Sequence, residues 1–322
     1  MRIGVVTLSI GLVLFASISA VAETYPSKII RLIVPTSAGG TTDLLGRIFA
    51  NCIEAKIGAQ VVVENRPGAD GNIGMEVVAK APPDGYTLAI ANTGHIVINP
   101  FIFKSMTYDP LKDLAMIGPI GEAPQLLVVN SRLPVKTLAD FIALAKKEPG
   151  KLNYASAGSG STTQLAADQF ARIAGVSLVH VPYRGTTPGI TDLLGGTVQM
   201  ISISLGPVKG YVESGMLRVL VVAGKKRLAL LPNVPTSAEA GVAGYEMATW
   251  FGLFAPSGTP KEIVDRLNGW IADMLADAET QKRLAANSVE PLSMSSDDFA
   301  RFIAAEAIKW ERAVREAGVP MQ

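Results

Sequence analysis

The feature that most constrains the fold is a unit of strand, glycine-rich loop and helix that occurs twice in the chain. In the first unit, the apolar segment 29–34 stops at Pro35, and a loop of Gly, Ser and Thr leads to apolar residues at helical spacing over 42–57. In the second, a strand over 152–155, a loop over 156–160 and a helix over 162–174 closed by Gly175 follow in the same order. Such units are typical of α/β folds built mostly on parallel sheet, and two of them predict two domains.

The rest of the chain continues this alternation. Strands are predicted over 61–64, 86–90, 125–129, 178–181, 198–204 and 217–222, and helices over 73–79, 95–103, 138–147, 261–275 and 297–316. Ser296 is the candidate N-cap of the last helix and Gly318 its predicted end. We expect several short crossings, with residues 23–124 and 248–322 forming the first domain and residues 125–247 the second.

The N-terminal segment, residues 1–22, has the layout of a secretory signal peptide. Arg2 precedes an apolar run over 3–15, and small residues end in Ala20-Val21-Ala22. The run is shorter than the roughly 18–20 residues that span a bilayer, so a retained anchor is the weaker alternative. Cleavage after Ala22 would release a periplasmic protein.

Composition excludes several classes of function. The 322 residues carry a net charge of +1, which gives no reason to expect a nucleic acid or an anionic membrane as partner, and we expect a monomer. The single cysteine, Cys52, forms no internal disulfide and lies on an apolar stripe, so we expect a buried, inert thiol. The two histidines, His95 and His180, are assigned to separate loops, and we expect no metal site and no cofactor.

Enzyme signatures are absent from the second glycine-rich loop. The run Gly158-Ser-Gly-Ser-Thr-Thr163 has Thr163 where a dinucleotide fingerprint needs its third glycine, and it lacks the Gly-Lys-Ser/Thr end of a phosphate loop. Serine is not placed as Gly-x-Ser-x-Gly either. We predict no catalytic residue.

Both glycine-rich loops offer backbone N–H groups at a helix start, rimmed by hydroxyls, which is the chemistry of an anion site. The alternative is that the glycines only make tight turns while Thr41, Thr42, Ser161 and Thr162 cap helices. Two such loops, each at the carboxyl end of a strand, favour a shared cleft.

The chain resembles the substrate-binding receptors of tripartite tricarboxylate transporters, also called the Bug family. The resemblance is carried in order by Pro35-Thr-Ser-Ala-Gly-Gly-Thr-Thr-Asp43, Val63-Glu-Asn-Arg-Pro-Gly-Ala-Asp-Gly-Asn-Ile-Gly74, Pro83-Asp-Gly-Tyr-Thr-Leu88, Tyr108-Asp-Pro-Leu-Lys-Asp113, Val181-Pro-Tyr-Arg-Gly185, Asp192-Leu-Leu-Gly-Gly196 and Asn233-Val-Pro-Thr236.

The resemblance implies a two-domain α/β fold of the periplasmic-binding-protein type that closes on a carboxylate. The residues that it implicates in ligand binding are Thr36, Ser37, Ala38, Gly39, Gly40, Thr41, Thr42, Asp43, Thr93, Gly94, Ala157, Gly158, Ser159, Gly160, Ser161, Thr162, Thr163, Tyr183 and Ser204. Thr36, Ser37 and Gln164 depart from residue types common in the family, so the class of ligand is better defined than its identity.

Several of these residues have a structural alternative. Asp43, in the first turn of a helix, suits a loop-stabilising carboxylate better than a ligand contact. Arg184, beside Tyr183, is equally suited to a solvated surface. Trp250, with Phe251 and Phe254, favours packing of an inter-domain strand over stacking on a ligand.

The predicted function is therefore capture of a small mono- or dicarboxylate and its delivery to integral-membrane components of a tripartite carrier. Two alternatives are a ligand-sensing subunit for a signalling receptor and a secreted α/β hydrolase or transferase that uses the loop 159–161.

Overall fold

The computed structural model describes residues 25–317 and 321. The signal-peptide prediction for residues 1–22 and the helix end at Gly318 lie outside the described residues. In chain order, the first half contains β1 (Ile30–Val34), α1 (Thr41–Ile57), β2 (Val61–Asn65), α2 (Asn72–Ala79), β3 (Thr87–Asn92), α3 (Asn99–Ile102), β4 (Leu114–Asn130), α4 (Leu138–Lys147), β5 (Asn153–Ser156) and α5 (Thr162–Ala174).

The second half contains β6 (Val179–Pro182), α6 (Thr186–Gly195), β7 (Met200–Ile203), α7 (Lys209–Glu213), β8 (Leu217–Ala223), β9 (Ala248–Pro256), α8 (Lys261–Ala276), α9 (Ala278–Ala285), β10 (Glu290–Pro291) and α10 (Ser296–Ala317). Every strand and helix predicted from the sequence is present, with ends displaced by a few residues except in β4, which begins at Leu114 and not at residue 125. Within the predicted helix 95–103, a π-helical turn over Gly94–Ile98 precedes the short α3.

Two sheets, one for each domain, share strand β4. The first has the order β2-β1-β3-β9-β4, in which β1 runs parallel to β2 and β3, while β9 is antiparallel to β3 and β4. In the second, β4 pairs antiparallel with β7 and β8, and β5 runs parallel to β6 and β7. The predicted two-domain α/β fold is confirmed, but the expectation of mostly parallel sheet is wrong. The sheets are mixed, because the crossing strands β4 and β9 pair antiparallel with their neighbours.

The chain crosses between the sheets along β4 and β9. The pairing of β4 with β9 ends at Pro124 and Ala248, and the next residue of β4, Gln125, pairs with Ala223 of β8. Sequence patterns predicted only the second half of β4. The first half contains Gly118, Pro119 and Gly121, which obscure the apolar pattern, and the register shifts at these residues.

Apolar side chains fill both faces of the sheets. Helices α1, α8 and α9 cover one face of the first sheet, and α6 packs against the second sheet. Helix α10 returns to the first domain and covers β9. There Trp250 is buried, makes an edge contact with Phe299 and donates its Nε1–H to Glu306 at 3.1 Å. The prediction that Trp250 packs an inter-domain strand is confirmed.

The ends of helices follow their capping residues. Gly58 and Gly175 end α1 and α5 in the left-handed conformation, with φ of 68° and 63°, which glycine adopts without a steric penalty. The predicted N-cap of α10 is wrong by one residue. Ser295 accepts the N–H of Asp298 at 3.1 Å, and Ser296 is already helical.

Cys52 is less buried than expected, with part of its surface exposed on α1. Burial, followed by the charge of Asp277, raises the pKa of its thiol, which keeps the thiol protonated and unreactive at neutral pH. None of the helices in the described part of the chain combines the length and apolar character needed to cross a membrane.

Candidate functional site

A cavity of about 290 Å³ lies between the two domains, where the carboxyl ends of their parallel strands face each other. The two glycine-rich loops, here called the first loop (residues 36–42) and the second loop (residues 157–163), line it from opposite sides. Of the predicted ligand-binding residues, the structure brings thirteen to the cavity wall: Thr36, Gly40, Thr41, Thr42, Gly94, Ala157, Gly158, Ser159, Ser161, Thr162, Thr163, Tyr183 and Ser204.

The first loop leaves the start of α1 open. Helix α1 begins after Gly40 with no side-chain cap, so neither Thr41 nor Thr42 has the capping role that the structural alternative assigned to it. The first N–H groups of a helix have no partner within the helix, and uncapped they can bind an anion. Gly40 is buried and has a φ of −79°, which any residue can adopt. The backbone therefore does not require glycine here, and the missing side chain instead leaves space at the cavity wall.

Asp43 holds the first loop and does not line the cavity. Its carboxylate accepts the N–H of Gly39 at 2.9 Å, Nδ2 of Asn65 at 3.0 Å and Nε of Arg47 at 3.1 Å. Burial acts to raise the pKa of Asp43, but these hydrogen bonds outweigh it and leave the pKa below its ordinary value. The loop-stabilising alternative for Asp43 therefore holds.

The second loop satisfies most of its own polar groups. Ser161 caps α5 by accepting the N–H of Gln164 at 3.3 Å and donates its hydroxyl to the carbonyl of Gly158 at 2.6 Å. Gln164 in turn accepts the N–H of Gly160 at 2.6 Å, which explains a glutamine at this position. The amide of Ala157 donates to the hydroxyl of Thr163 at 2.8 Å. The loop is thus preorganised around the N-terminus of α5.

Five other predicted contacts do not line the cavity either. Gly160 has a φ of 92° and packs on Ile102. Glycine is therefore required at this position by the backbone conformation and by close packing, and not by the approach of a ligand. Thr93 is fully buried, and its Oγ1 accepts the N–H of Trp250 at 3.0 Å. Ser37, Ala38 and Gly39 form the outer part of the first loop.

Contacts across the cleft join the two domains beside the cavity. Oγ1 of Thr41 lies 2.7 Å from Oγ of Ser204, and Thr187 donates its hydroxyl to the carbonyl of Ala38 at 2.8 Å. These hydrogen bonds connect the first loop to the second domain. The first loop therefore serves both as cavity wall and as contact between the domains.

Sequence reasoning missed a third wall of the cavity. It comprises the turn 67–71 after β2, residues of the crossing strands, and side chains near the end of β3; the members are Pro67, Gly68, Ala69, Asp70, Gly71, Asn92, His95, Phe103, Gln125, Thr249 and Phe251. The turn-rich stretch 65–71 was visible in the sequence. Its position at the carboxyl end of a parallel strand is the signal that could have placed it at the cleft.

Two titratable groups of this wall, the partly exposed Asp70 and the buried His95, have shifted pKa values. Burial raises the pKa of Asp70 to about 7 and lowers the pKa of His95 to about 3. The Nδ1 atom of His95 accepts the N–H of Asn92 at 3.2 Å, so the ring is neutral and carries its proton on Nε2.

Tyr183 and Arg184 both line the cavity, which the sequence left open. The hydroxyl of Tyr183 donates to Asp192 at 2.5 Å, and burial together with this bond raises its pKa to about 12. Its ring, not its hydroxyl, is therefore free to face a ligand. Arg184 is exposed, and it is the only lysine or arginine among the cavity-lining residues that the structure describes.

Ser156 and His180 form a hydrogen-bonded pair that does not line the cavity. Neither histidine lies in a loop as expected. His95 is in the π-helical turn Gly94–Ile98, and His180 is in β6, where its Nε2 is 2.6 Å from Oγ of Ser156. Oγ of Ser156 also lies 2.9 Å from the carbonyl oxygen of Gly158, and burial lowers the pKa of His180 to about 4, so the imidazole is neutral at neutral pH. Among residues 25–317 and 321, no group of three His, Cys, Asp or Glu side chains could hold a metal ion.

Two α/β domains, crossing strands and a cavity walled by two helix N-termini define the class of two-domain periplasmic binding proteins. The profile of the tripartite tricarboxylate transporter family receptor matches residues 45–319, and the chain belongs to this family. The resemblance stated from the sequence is confirmed.

Solved relatives agree in fold over almost the whole chain. Rpa4515 of R. palustris, with adipate, has a TM-score of 0.90 at 38% identity, covering 92% of this chain and 100% of that one. The periplasmic binding protein BugD has a TM-score of 0.88 at 32% identity, with coverage of 92% and 100%. MatC from Rhodopseudomonas palustris, with bound malate, has a TM-score of 0.85 at 29% identity, with coverage of 90% and 100%.

Proposed function

We propose that this chain is a periplasmic receptor that captures a small organic carboxylate and delivers it to the membrane components of a tripartite carrier. The observation that carries the proposal is the convergence of two helix N-termini, those of α1 and α5, on one small cavity between domains. Each N-terminus carries partial positive charge and directed N–H groups, which favour an anion. The hydroxyls of Thr41, Thr42 and Thr162 add donors to the same wall.

The relatives support the class of ligand. Rpa4515 and MatC are described with adipate and malate, which are both small dicarboxylates. The cavity of about 290 Å³ is at the small end of the roughly 300–1,000 Å³ of ligand pockets, which fits a molecule of that size. We propose no catalytic role, because the hydroxyl of Ser161 is engaged by the carbonyl of Gly158, the hydroxyl of Thr163 and the amide of Gln164.

Ligand capture would involve closure of the two domains around the crossing strands. The division at residues 124/125 and 247/248 stays a prediction, and the change of pairing partner along β4 supports it. A ligand held by both loops would stabilise the closed form, because it would gain contacts with both domains only there. Export by a leader over residues 1–22, cleaved after Ala22, belongs to the same proposal.

The first test is a thermal-shift screen of the protein from Glu23 onward against organic acids, because a ligand that binds the folded state raises its apparent stability. Calorimetric titration of the best acid with variants then locates the anchor. Gly40→Val should weaken binding at least tenfold, about 1.4 kcal/mol, because its branched side chain would stand at the cavity wall. Gly40→Ala is the matched control, since its Cβ would meet only ordinary contacts at 3.6 Å.

Arg184→Ala tests the competing anchor. If helix N-termini hold the carboxylate, this variant should lose only a few-fold in affinity, because Arg184 is exposed and its charge is screened by water. Complete loss of binding in Arg184→Ala, together with wild-type affinity in a folded Gly40→Val, would show that a guanidinium holds the ligand and that the main-chain site is wrong.

A further inference from the structure

The side chain of Asp70 is held at the cavity wall by an unusual turn. Ala69 and Asp70 both have left-handed backbones, with φ of 46° and 47°, between Gly68 and Gly71. Non-glycine residues adopt this conformation uncommonly, although Asp is among the more tolerant types. The main-chain carbonyl of Asp70 accepts Nδ2 of Asn99 at 2.9 Å, which fixes the turn against α3. The carboxylate is therefore placed by the fold and is not a mobile surface group.

The carboxylate of Asp70 lies where the two domains meet. Two glycines leave room for it: a Cβ at Gly158 would be 3.2 Å from Oδ1, and a Cβ at Gly94 would be 3.9 Å from Oδ2. That Cβ position at Gly94 would also be 3.9 Å from the amide nitrogen of Thr162, which lies in the first turn of α5. Asp70 thus faces the end of the cavity at which the second loop presents its helix N-terminus.

Its Oδ2 atom has less than 1 Å² of exposed surface and no hydrogen-bond donor within reach among the described residues. Oε1 of Gln125, another cavity-lining residue, is also buried without a hydrogen-bond donor among the described residues. Nε2 of the same side chain donates to Thr249 at 2.8 Å. A buried acceptor without a donor is costly and is rare in folded proteins. Asp70 itself lines the cavity and is partly exposed, so the donor that its carboxylate lacks can arrive with the ligand.

The charged and titratable neighbours do not supply that donor. The Nε2–H of His95 lies beside Gly71, but neither it nor Arg184 donates to Oδ2 of Asp70. The hydroxyl of Tyr108 donates to Asn72 at 3.1 Å. The absence of a nearby cation is consistent with the pKa of about 7 at Asp70. At neutral pH, a dicarboxylate without a donor would place its own negative charge near this carboxylate.

We propose that the ligand of this site carries, besides its carboxylate, a hydrogen-bond donor that Asp70 accepts, which is a hydroxyl or a protonated amine. This inference rests on the proposed function and narrows it from small carboxylates to hydroxy- or amino-substituted ones. The helix N-termini hold the carboxylate, and Asp70 discriminates by the second group. A hydrogen bond to a charged acceptor gives roughly a tenfold preference or more.

The test compares acids of one carbon skeleton by calorimetric titration at pH 8, where Asp70 is mostly ionised. Succinate, malate and aspartate form one set, and adipate, 2-hydroxyadipate and 2-aminoadipate form a longer one. In the set that fits the cavity, the wild type should bind the hydroxy or amino acid at least tenfold more tightly than the plain diacid. Whether the hydroxy or the amino acid binds more tightly identifies the donor.

Asp70→Asn should reduce that preference to about threefold or less, because the amide is uncharged; asparagine also tolerates the left-handed turn. Asp265→Asn, which removes a carboxylate from the exposed face of α8, is the matched control and should keep the wild-type preference. Circular dichroism of each variant verifies folding before titration.

Two outcomes would overturn the inference. In one, plain and substituted acids bind the wild type equally and Asp70→Asn changes neither. In the other, the wild type prefers the plain diacid and takes up a proton on binding it, and Asp70→Asn abolishes this proton uptake. That result would mean that Asp70 is neutralised by a proton and not by a donor of the ligand. Both outcomes leave carboxylate capture intact, whereas failure of every acid in the screen would refute the proposed function itself.

Discussion

Replacing Asp43 by Asn should loosen the first loop without changing its volume. The carboxylate of Asp43 accepts hydrogen bonds from the amide of Gly39, from Asn65 and from Arg47. It thus helps to join the loop to the end of β2, where Asn65 also donates to the carbonyl of Thr36 at 3.1 Å. Asparagine keeps one acceptor oxygen and turns an NH₂ group toward a donor. At least one of the three hydrogen bonds must then be lost.

The magnitude follows from the exposure of each partner. An unmet buried donor costs about 1–3 kcal/mol, and the bonds to Gly39 and Asn65 are partly buried. Arg47 is 50% exposed, so its ion pair contributes less than about 1 kcal/mol. We expect Asp43→Asn to lower the free energy of unfolding by about 1–3 kcal/mol and the melting temperature by roughly 2–10 °C.

Thermal and urea unfolding of the ligand-free protein, followed by circular dichroism, would measure this loss. Because the folded-state pKa of Asp43 is lowered, its stabilisation is present above the ordinary carboxyl pKa of about 4 and is lost as the pH falls through the folded-state value. The difference between wild type and variant should therefore shrink in acid. If Arg47→Ala destabilised the protein more than Asp43→Asn did, the carboxylate would not be what organises the loop.

Two further predictions concern the whole protein. Small-angle scattering should show a smaller radius of gyration with saturating ligand, because both loops must approach one small molecule; an unchanged radius would mean that the free form is already closed or that the domains do not move. Expressed with its leader, the protein should be exported and begin at Glu23 by N-terminal mass spectrometry, whereas full-length protein recovered in membranes would contradict the signal-peptide prediction.

Helices were predicted correctly from the sequence where the apolar periodicity and the capping residues agree. Helix α5, bounded by Ser161 and Gly175, was predicted at both ends. Helix α6 was missed because Thr186, Thr187, Pro188 and Gly189 open it, and these residue types are poor helix formers or typical of turns; a proline in the first turn is tolerated. Local patterns thus identified the framework but not the elements whose stability comes from tertiary packing.

The candidate site was only partly visible from the sequence for the same reason. The two glycine-rich loops are local features, and both line the cavity. Asp70 and Gln125 reach it only because strands distant in sequence end at one edge, and no local pattern reports that. Gly160 resembled a ligand-facing glycine, yet Ile102, from a helix far along the chain, decides its role.

The late position of β9 in the chain sets an order on assembly. In the first sheet, β3 and β4 are not neighbours; β9 lies between them and pairs with both. The central strands of that sheet therefore cannot all pair until residue 256 has been synthesised, and the short strand β10, which pairs with β4, comes later still. The second sheet needs only strands up to Ala223, so the domain that comes second in sequence is the first to have all its strands available.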